Sequence, residues 1–181
     1  YPSVELATGI LFATVAYLFD LSFATIIYLL FTAVPVALSV IDMQTKLLPD
    51  KIVLPSLVVA CVLALLTYIP GFSKIWPVDT LHAFLGMAAG GLPLLLLAWA
   101  YLKLTGREGM GGGDVKLMFF VGALLGPGKA MLTLFIGSFA GAIIGSLILR
   151  LNRSDRHTQI PFGPFLSAGA WISLLWGETI I

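Results

Sequence analysis

Two short stretches of this chain carry the residues best suited to chemistry. Asp42 ends an apolar run and is followed shortly by Leu-Pro-Asp50, and Asp114 lies within the sequence GMGGGDVKL at positions 109–117. In each stretch an aspartate stands where a long apolar run meets a short polar loop. Asp is costly in a bilayer, about +2.5 to +3.5 kcal/mol at a helix centre on insertion scales. Aspartates at two such boundaries therefore suggest a pair of functional carboxylates.

Paired carboxylates have a specific chemistry. Two of them can share one proton, because like charges a few ångströms apart cannot both ionise cheaply. The ionised group then acts as general base on a water molecule, while the protonated group polarises a carbonyl. Gly111 and Gly113, just before Asp114, would let the backbone approach an extended peptide closely. Asp42 and Asp114 are thus candidates for the catalytic pair of a peptide-cleaving site.

Helix capping is the simpler explanation for an aspartate at a helix start, since its carboxylate accepts from free N–H groups. We expect Asp50, directly after Pro49, to cap the third apolar segment. For Asp114, capping and catalysis both remain open. Asp42 falls at a helix C-terminus, where the helix dipole disfavours an anion. Capping explains little there, which favours a functional role for Asp42.

The composition predicts the fold class. Of 181 residues, 59% are hydrophobic and 10% charged, against about 25% charged in soluble domains, and the mean hydropathy is +1.04. We predict an all-α, polytopic membrane helix bundle with about six or seven transmembrane segments of about 20 residues each. The candidate segments are 4–19, 21–41, 51–69, 80–103, 114–126, 129–150 and 160–177. The second, third, fourth and sixth of these are the most convincing transmembrane segments, and the fifth is short enough to be a re-entrant segment.

The basic residues predict the orientation in the lipid bilayer. Lys74 and Lys129 fall on one side, and eight basic residues fall in the loops of the other. By the positive-inside rule, that second side is cytoplasmic, and it carries all three aspartates named above. No basic run typical of nucleic-acid binding is present. The eight residues are Lys46, Lys51, Lys103, Arg107, Lys116, Arg150, Arg153 and Arg156.

The cysteine, the histidines and a run of spaced glycines give weaker indications of function. Cys61 is the only cysteine, so no internal disulfide can form, and His82 with His157 cannot supply a metal site. We therefore expect no metal. The run Gly137-x-x-x-Gly141-x-x-x-Gly145 allows helices to approach closely. Packing within one chain is the favoured interpretation, and a homodimer seam is the alternative.

The two aspartate stretches resemble motifs of the type IV prepilin peptidases, membrane-embedded aspartic proteases of the GxGD type. Residues 1–6 and 160–166 resemble two further stretches of that family, so the similarity extends over nearly the whole chain in the right order. The resemblance implies that Asp42 and Asp114 are catalytic. It also implies cleavage after the glycine that ends a short basic leader, in type IV prepilins or pseudopilins, at the cytoplasmic face of the bacterial inner membrane.

A basic leader needs acidic residues to hold it, so Asp50, Glu108 and Glu5 are candidates for substrate binding. Gly111, Gly113 and Lys116, within the second motif, complete the candidate substrate-binding set.

The chain departs from the family pattern at its start. The usual first membrane helix is missing, as is a cytoplasmic segment that often carries two Cys-x-x-Cys pairs. We expect residues 1–181 to form a single peptidase domain that begins inside a longer protein. Many family members also methylate the new N-terminus with S-adenosylmethionine. Here we expect methylation to be weak or absent without the preceding segment.

Two other classes remain as alternatives. A preflagellin peptidase or presenilin-like protease shares Gly-x-Gly-Asp, but in presenilins the first aspartate follows a tyrosine, whereas here it follows Ile41. A proton-coupled transporter would also use membrane carboxylates. It would usually show two repeated halves with its site near the bilayer midplane, and no such repeat is visible in this chain.

Overall fold

The computed structural model describes residues 2–20, 22–69, 71–72, 76–106, 110–151 and 161–180. Within these ranges the chain is helical and contains no β-strand, which confirms the predicted all-α class. The helices are α1 (Pro2–Leu18), α2 (Phe23–Thr45), α3 (Asp50–Leu66), α4 (Thr80–Thr105), α5 (Gly112–Leu151) and α6 (Gly163–Ile180).

Helix α5 is a hairpin of two helical halves. Gly126 has φ 79° and ψ 175°, which no helix accommodates, and Pro127 follows it. A side chain at Gly86 of α4 would contact both Gly122 and Gly126, and one turn along, at Gly90, it would contact Met118 and Ala130. One half of α5 therefore runs down α4 while the other runs back. This agrees with the separate segments predicted at 114–126 and 129–150.

Among the described residues, three helical stretches are long and apolar enough to cross a bilayer: α2, α4 and residues Gly112–Ile148 of α5, the last of which is divided by the turn at Gly126. Helices α1 and α3 have 17 residues each, and α3 is shorter than the third predicted segment. That segment was predicted over 51–69, and its helix ends at Leu66. The exact number of spans therefore stays a prediction.

Small residues bring the helices together. Gly86, Gly90 and Gly91 place α4 directly on the first half of α5, with the backbones in contact at Gly122. On the second half, Leu166 of α6 packs on Gly137, and the rings of Phe162 and Phe165, at the start of α6, pack on Gly141. These two glycines of the predicted small-residue run are thus used for packing within the chain. A homodimer seam stays a prediction.

The bundle has two distinct ends. The aspartate end brings together the end of α2 with the starts of α3, α5 and α6, and it carries Asp42 and Asp114. At the opposite end, beside the Gly126 turn, Lys129 pairs with Glu178 at 3.1 Å. Helix α6 runs the whole distance, because Gly163 contacts Asp42 and Gly177 contacts Lys129.

Candidate active site

Asp42 lies in the last turn of α2. Lys46, with a left-handed backbone (φ 56°), caps the C-terminus of this helix, and its N–H donates to the Asp42 carbonyl at 2.8 Å. The Asp42 side chain is buried, with 4% of the residue exposed. Its Oδ2 accepts a hydrogen bond from the backbone N–H of Gly163 at 2.9 Å. The C-terminal end of α2 disfavours a negative charge on Asp42, and the N-terminal end of α6 favours one, so the second effect offsets the first.

Gly163 is close to Asp42 because it has no side chain. A Cβ at this position would lie 2.8 Å from Asp42 Oδ2 and 3.3 Å from its Cγ. Sequence reasoning placed residues 160–166 at a membrane boundary but missed this contact. The available signal was a glycine between Phe162 and Pro164 at the start of a helix, where a main-chain N–H is free to bind an anion.

Asp114 is the third residue of α5. Because the helix already begins at Gly112, Asp114 is not its first residue. The residue is 7% exposed, and its Oδ1 is buried without a hydrogen-bond partner in the described part of the chain. A capping role, left open by the sequence, does not account for this oxygen. An unpartnered buried carboxylate oxygen is costly, which favours a functional role for Asp114.

The two aspartates lie close enough to interact electrostatically. The structure therefore brings together, from the end of α2 and the start of α5, the two carboxylates that the sequence singled out. On the Asp114 side, Leu48 covers Gly113, and a Cβ on Gly111 would come within 3.6 Å of Asp114 Oδ2. Both glycines predicted to line the site thus lie beside Asp114.

Asp50 does not cap α3, so that prediction was wrong. The capping position is Pro49, and no side chain makes a capping hydrogen bond there. Instead, Asp50 Oδ1 accepts a hydrogen bond from Lys116 Nζ at 2.6 Å. Proline supplies no side-chain oxygen, and the carboxylate finds a full opposite charge on α5 instead. Asp50 and Lys116, both predicted as substrate contacts, therefore bond to each other.

The remaining predicted residues lie elsewhere. Glu108 falls outside the described residues, as does His157. Glu5 is exposed in the first turn of α1. At the opposite end, Asp79 caps α4, and hydrogen bonds from the His82 backbone and ring lower the pKa of that carboxyl. Among the described residues, no group of three or more His, Cys, Asp or Glu could hold a metal ion.

Two cavities among the described residues could be considered as sites for S-adenosylmethionine. One of about 430 Å³ is lined by Tyr28, His82, Lys129 and Glu178, at the end opposite the aspartates. The other, of about 200 Å³, is an apolar crevice between α1, α2 and α6, below the roughly 300–1,000 Å³ of small-molecule sites. The first cavity is too far from the aspartates to serve an amine released there, and the second is too small. Neither fits a methyl donor acting beside Asp42 and Asp114.

Apolar helices, a glycine-packed bundle and two buried carboxylates at one end define the class: a helical membrane protein with a candidate two-aspartate site. A family model described as "Type IV leader peptidase family" matches residues 27–146, which include both aspartates. The chain belongs to this family, which confirms the resemblance.

Similar proteins carry the name "Prepilin leader peptidase/N-methyltransferase". The protein of Stutzerimonas stutzeri is 38% identical over 99% of this chain and 60% of its own length. Those of Aeromonas salmonicida (strain A449) and Pseudomonas aeruginosa are 41% and 39% identical, each over 99% of this chain and 59% of their own length. The chain thus spans about three-fifths of these relatives. No solved structure matches it.

Proposed function

We propose that this chain is the peptidase portion of a prepilin leader peptidase. It cleaves the short basic leader from type IV prepilins or pseudopilins, after a glycine, with Asp42 and Asp114 as the catalytic pair. Family membership supports the substrate class. The observation that supports the aspartic mechanism is the burial, at one end of the bundle, of two carboxylates from separate helices that lie close enough to interact electrostatically, one of them with an unpartnered oxygen.

The chemistry needs only these two groups and one water molecule. The ionised carboxylate takes a proton from water, whose oxygen attacks the scissile carbonyl carbon, and the protonated carboxyl donates to the carbonyl oxygen. The tetrahedral intermediate then collapses. Its C–N bond breaks, and the departing nitrogen takes up a proton to leave as an amine. Asp114 Oδ1 is buried and has no partner within the described chain, so a water molecule or substrate that enters the site would supply the missing hydrogen bond.

We further propose that the site faces the cytoplasm. Among the described residues, only Lys129 of the lysines and arginines lies at the opposite end of the bundle. The others occur at helix termini of the aspartate end, a distribution that the positive-inside rule assigns to the cytoplasmic face. They are Lys46, Lys51, Lys103, Lys116 and Arg150.

The proposal covers cleavage and not methyl transfer. The name of the relatives includes N-methyltransferase, but the two cavities do not fit a methyl donor beside the aspartates. We propose that methylation by residues 1–181 alone is weak or absent. Labelled S-adenosylmethionine with cleaved prepilin provides the test. Methyl incorporation at the rate of a full-length relative would contradict this part of the proposal.

The main test is cleavage of a type IV prepilin by the purified chain in lipid, read by mass determination of both products. Asp42→Asn and Asp114→Asn should each lower kcat by at least about 10²–10⁴-fold, the range expected for loss of general acid–base catalysis. Asp20→Asn is the matched control. Asp20 lies at the opposite end with φ 52°, a left-handed conformation that Asn also adopts. Near-normal cleavage by either site variant would refute the mechanism.

A further inference from the structure

The chain that follows α2 contacts α5 on both sides of Asp114, first from the connection to α3 and then from the first residue of α3. This connection, residues 46–49, begins where the helix that carries Asp42 ends. Leu48 lies against Gly113, and the Leu48 carbonyl oxygen would be 3.2 Å from a Cβ there. Directly after the connection, Asp50 bonds to Lys116 at 2.6 Å. The residues immediately before and shortly after Asp114 are therefore both attached to the chain that leaves Asp42.

The bridge between Asp50 and Lys116 contributes little to the stability of the fold. The two side chains are 56% and 36% exposed, and exposed pairs typically contribute about 0–1 kcal/mol. Nor does Lys116 face Asp114, because residues two apart on a helix point in different directions. The effect of the bridge is on the relative position of two helices. It joins the first residue of α3 to the second turn of α5 across the site.

We propose that Asp50 and Lys116 are positioning residues, whose bridge fixes the start of α5 against the end of α2 and so sets the spacing of Asp42 and Asp114. This inference rests on the proposed function. A water molecule and a carbonyl react only when both carboxylates reach them, and a misplacement of about 1 Å can cost roughly 10²-fold in rate. Gly163 holds Asp42 from the side of α6, and the bridge holds Asp114 from the side of α3.

Direct binding of a basic leader by Asp50 is the competing role. Its carboxylate already bonds a cation of the same chain, so a leader would have to displace Lys116. The two roles differ in their kinetics. Loss of a substrate contact raises KM and depends on the charge of the leader, whereas loss of positioning lowers kcat with KM nearly unchanged.

The test measures kcat and KM for prepilin cleavage by Asp50→Asn, Lys116→Gln and the double variant. Each single variant should lower kcat by up to about 5-fold, because an exposed bridge of this kind can restrain the site by no more than its own interaction energy. The double variant should be no worse than either single variant, because both break the same bridge. Lys116→Arg keeps the charge and should keep most of the activity. Glu178→Gln is the matched control, since it breaks the Lys129–Glu178 pair at the opposite end and should leave kcat unchanged.

Three results would overturn the inference: wild-type kcat in both single variants, an effect confined to KM that varies with leader charge, or losses that multiply in the double variant. Thermal unfolding of each variant shows whether it is folded, and the two single variants break the same bridge independently. Asp42→Asn separates the two proposals. If it still cleaves, the proposed function fails. If it is inactive while Asp50→Asn and Lys116→Gln keep full kcat, only the positioning role fails.

Discussion

Gly163→Ala should damage catalysis without unfolding the protein. The added Cβ would lie 2.8 Å from Asp42 Oδ2, whereas ordinary contacts begin at about 3.4 Å. The backbone of Gly163 is not left-handed, so alanine introduces no backbone strain. Its only new feature is the methyl group, and the nearest atom to it belongs to the carboxylate proposed to be catalytic.

The size of the effect follows from these distances. Relief of the contact requires a relative movement of 3.4 − 2.8 = 0.6 Å between Asp42 Oδ2 and the methyl carbon. Since about 1 Å of misplacement can cost roughly 10²-fold in rate, a movement of this size should lower kcat by about 10-fold or more. The hydrogen bond from the Gly163 N–H would also lengthen, because the donor and the new methyl group belong to the same residue.

The assay is steady-state cleavage of a prepilin by purified protein in lipid, together with a thermal unfolding curve for each variant. Gly9→Ala in α1 is the control, because a Cβ there meets no atom within 4 Å. It should keep full activity and gain about 0.5–1 kcal/mol from the better helix propensity of alanine. If folded Gly163→Ala cleaves with wild-type kcat, the idea that Gly163 fixes Asp42 is wrong.

Three further predictions concern the surroundings of the site and the opposite end. Gly113→Ala should reduce cleavage more than Gly111→Ala, because its methyl group would collide with Leu48, whereas at Gly111 the nearest atom is 3.6 Å away; equal kcat values would contradict this. The pKa of Asp79 is lowered by hydrogen bonds from His82, so the stability it contributes is present above its unfolded pKa and lost as the pH falls through the lower folded value. Thermal unfolding of Asp79→Asn should therefore depend less on acid than that of wild type, and parallel curves would contradict the assignment. A chelator should leave cleavage unchanged, and a loss restored by zinc or magnesium would show that a metal takes part.

The sequence was sufficient where the signal is local. Apolar runs predict helices, and the Gly126-Pro127 step marks the α5 turn because glycine alone readily adopts its φ of 79°. Asp42 and Asp114 could be identified from the sequence because each is a charged residue at the boundary of an apolar run. The end of α3 was missed because a hydropathy window does not register the turn at Thr67, which precedes Pro70 and Gly71.

Contacts between distant positions could not be predicted in the same way. Lys116 is 66 residues from Asp50, and Gly163 is 121 residues from Asp42. Which helices meet depends on the glycine packing of α4, α5 and α6, and no single segment encodes that arrangement. The capping prediction for Asp50 failed for this reason, since a cation from another helix offered a better partner than the local backbone.

The partner of Asp42 is a main-chain N–H, which has a consequence for how such a protein can change over time. A side-chain donor disappears with one substitution, but a peptide N–H remains whatever residue occupies the position, proline excepted. A substitution at position 163 can therefore disturb Asp42 by adding a side chain that is too large, whereas only proline would remove the hydrogen-bond donor.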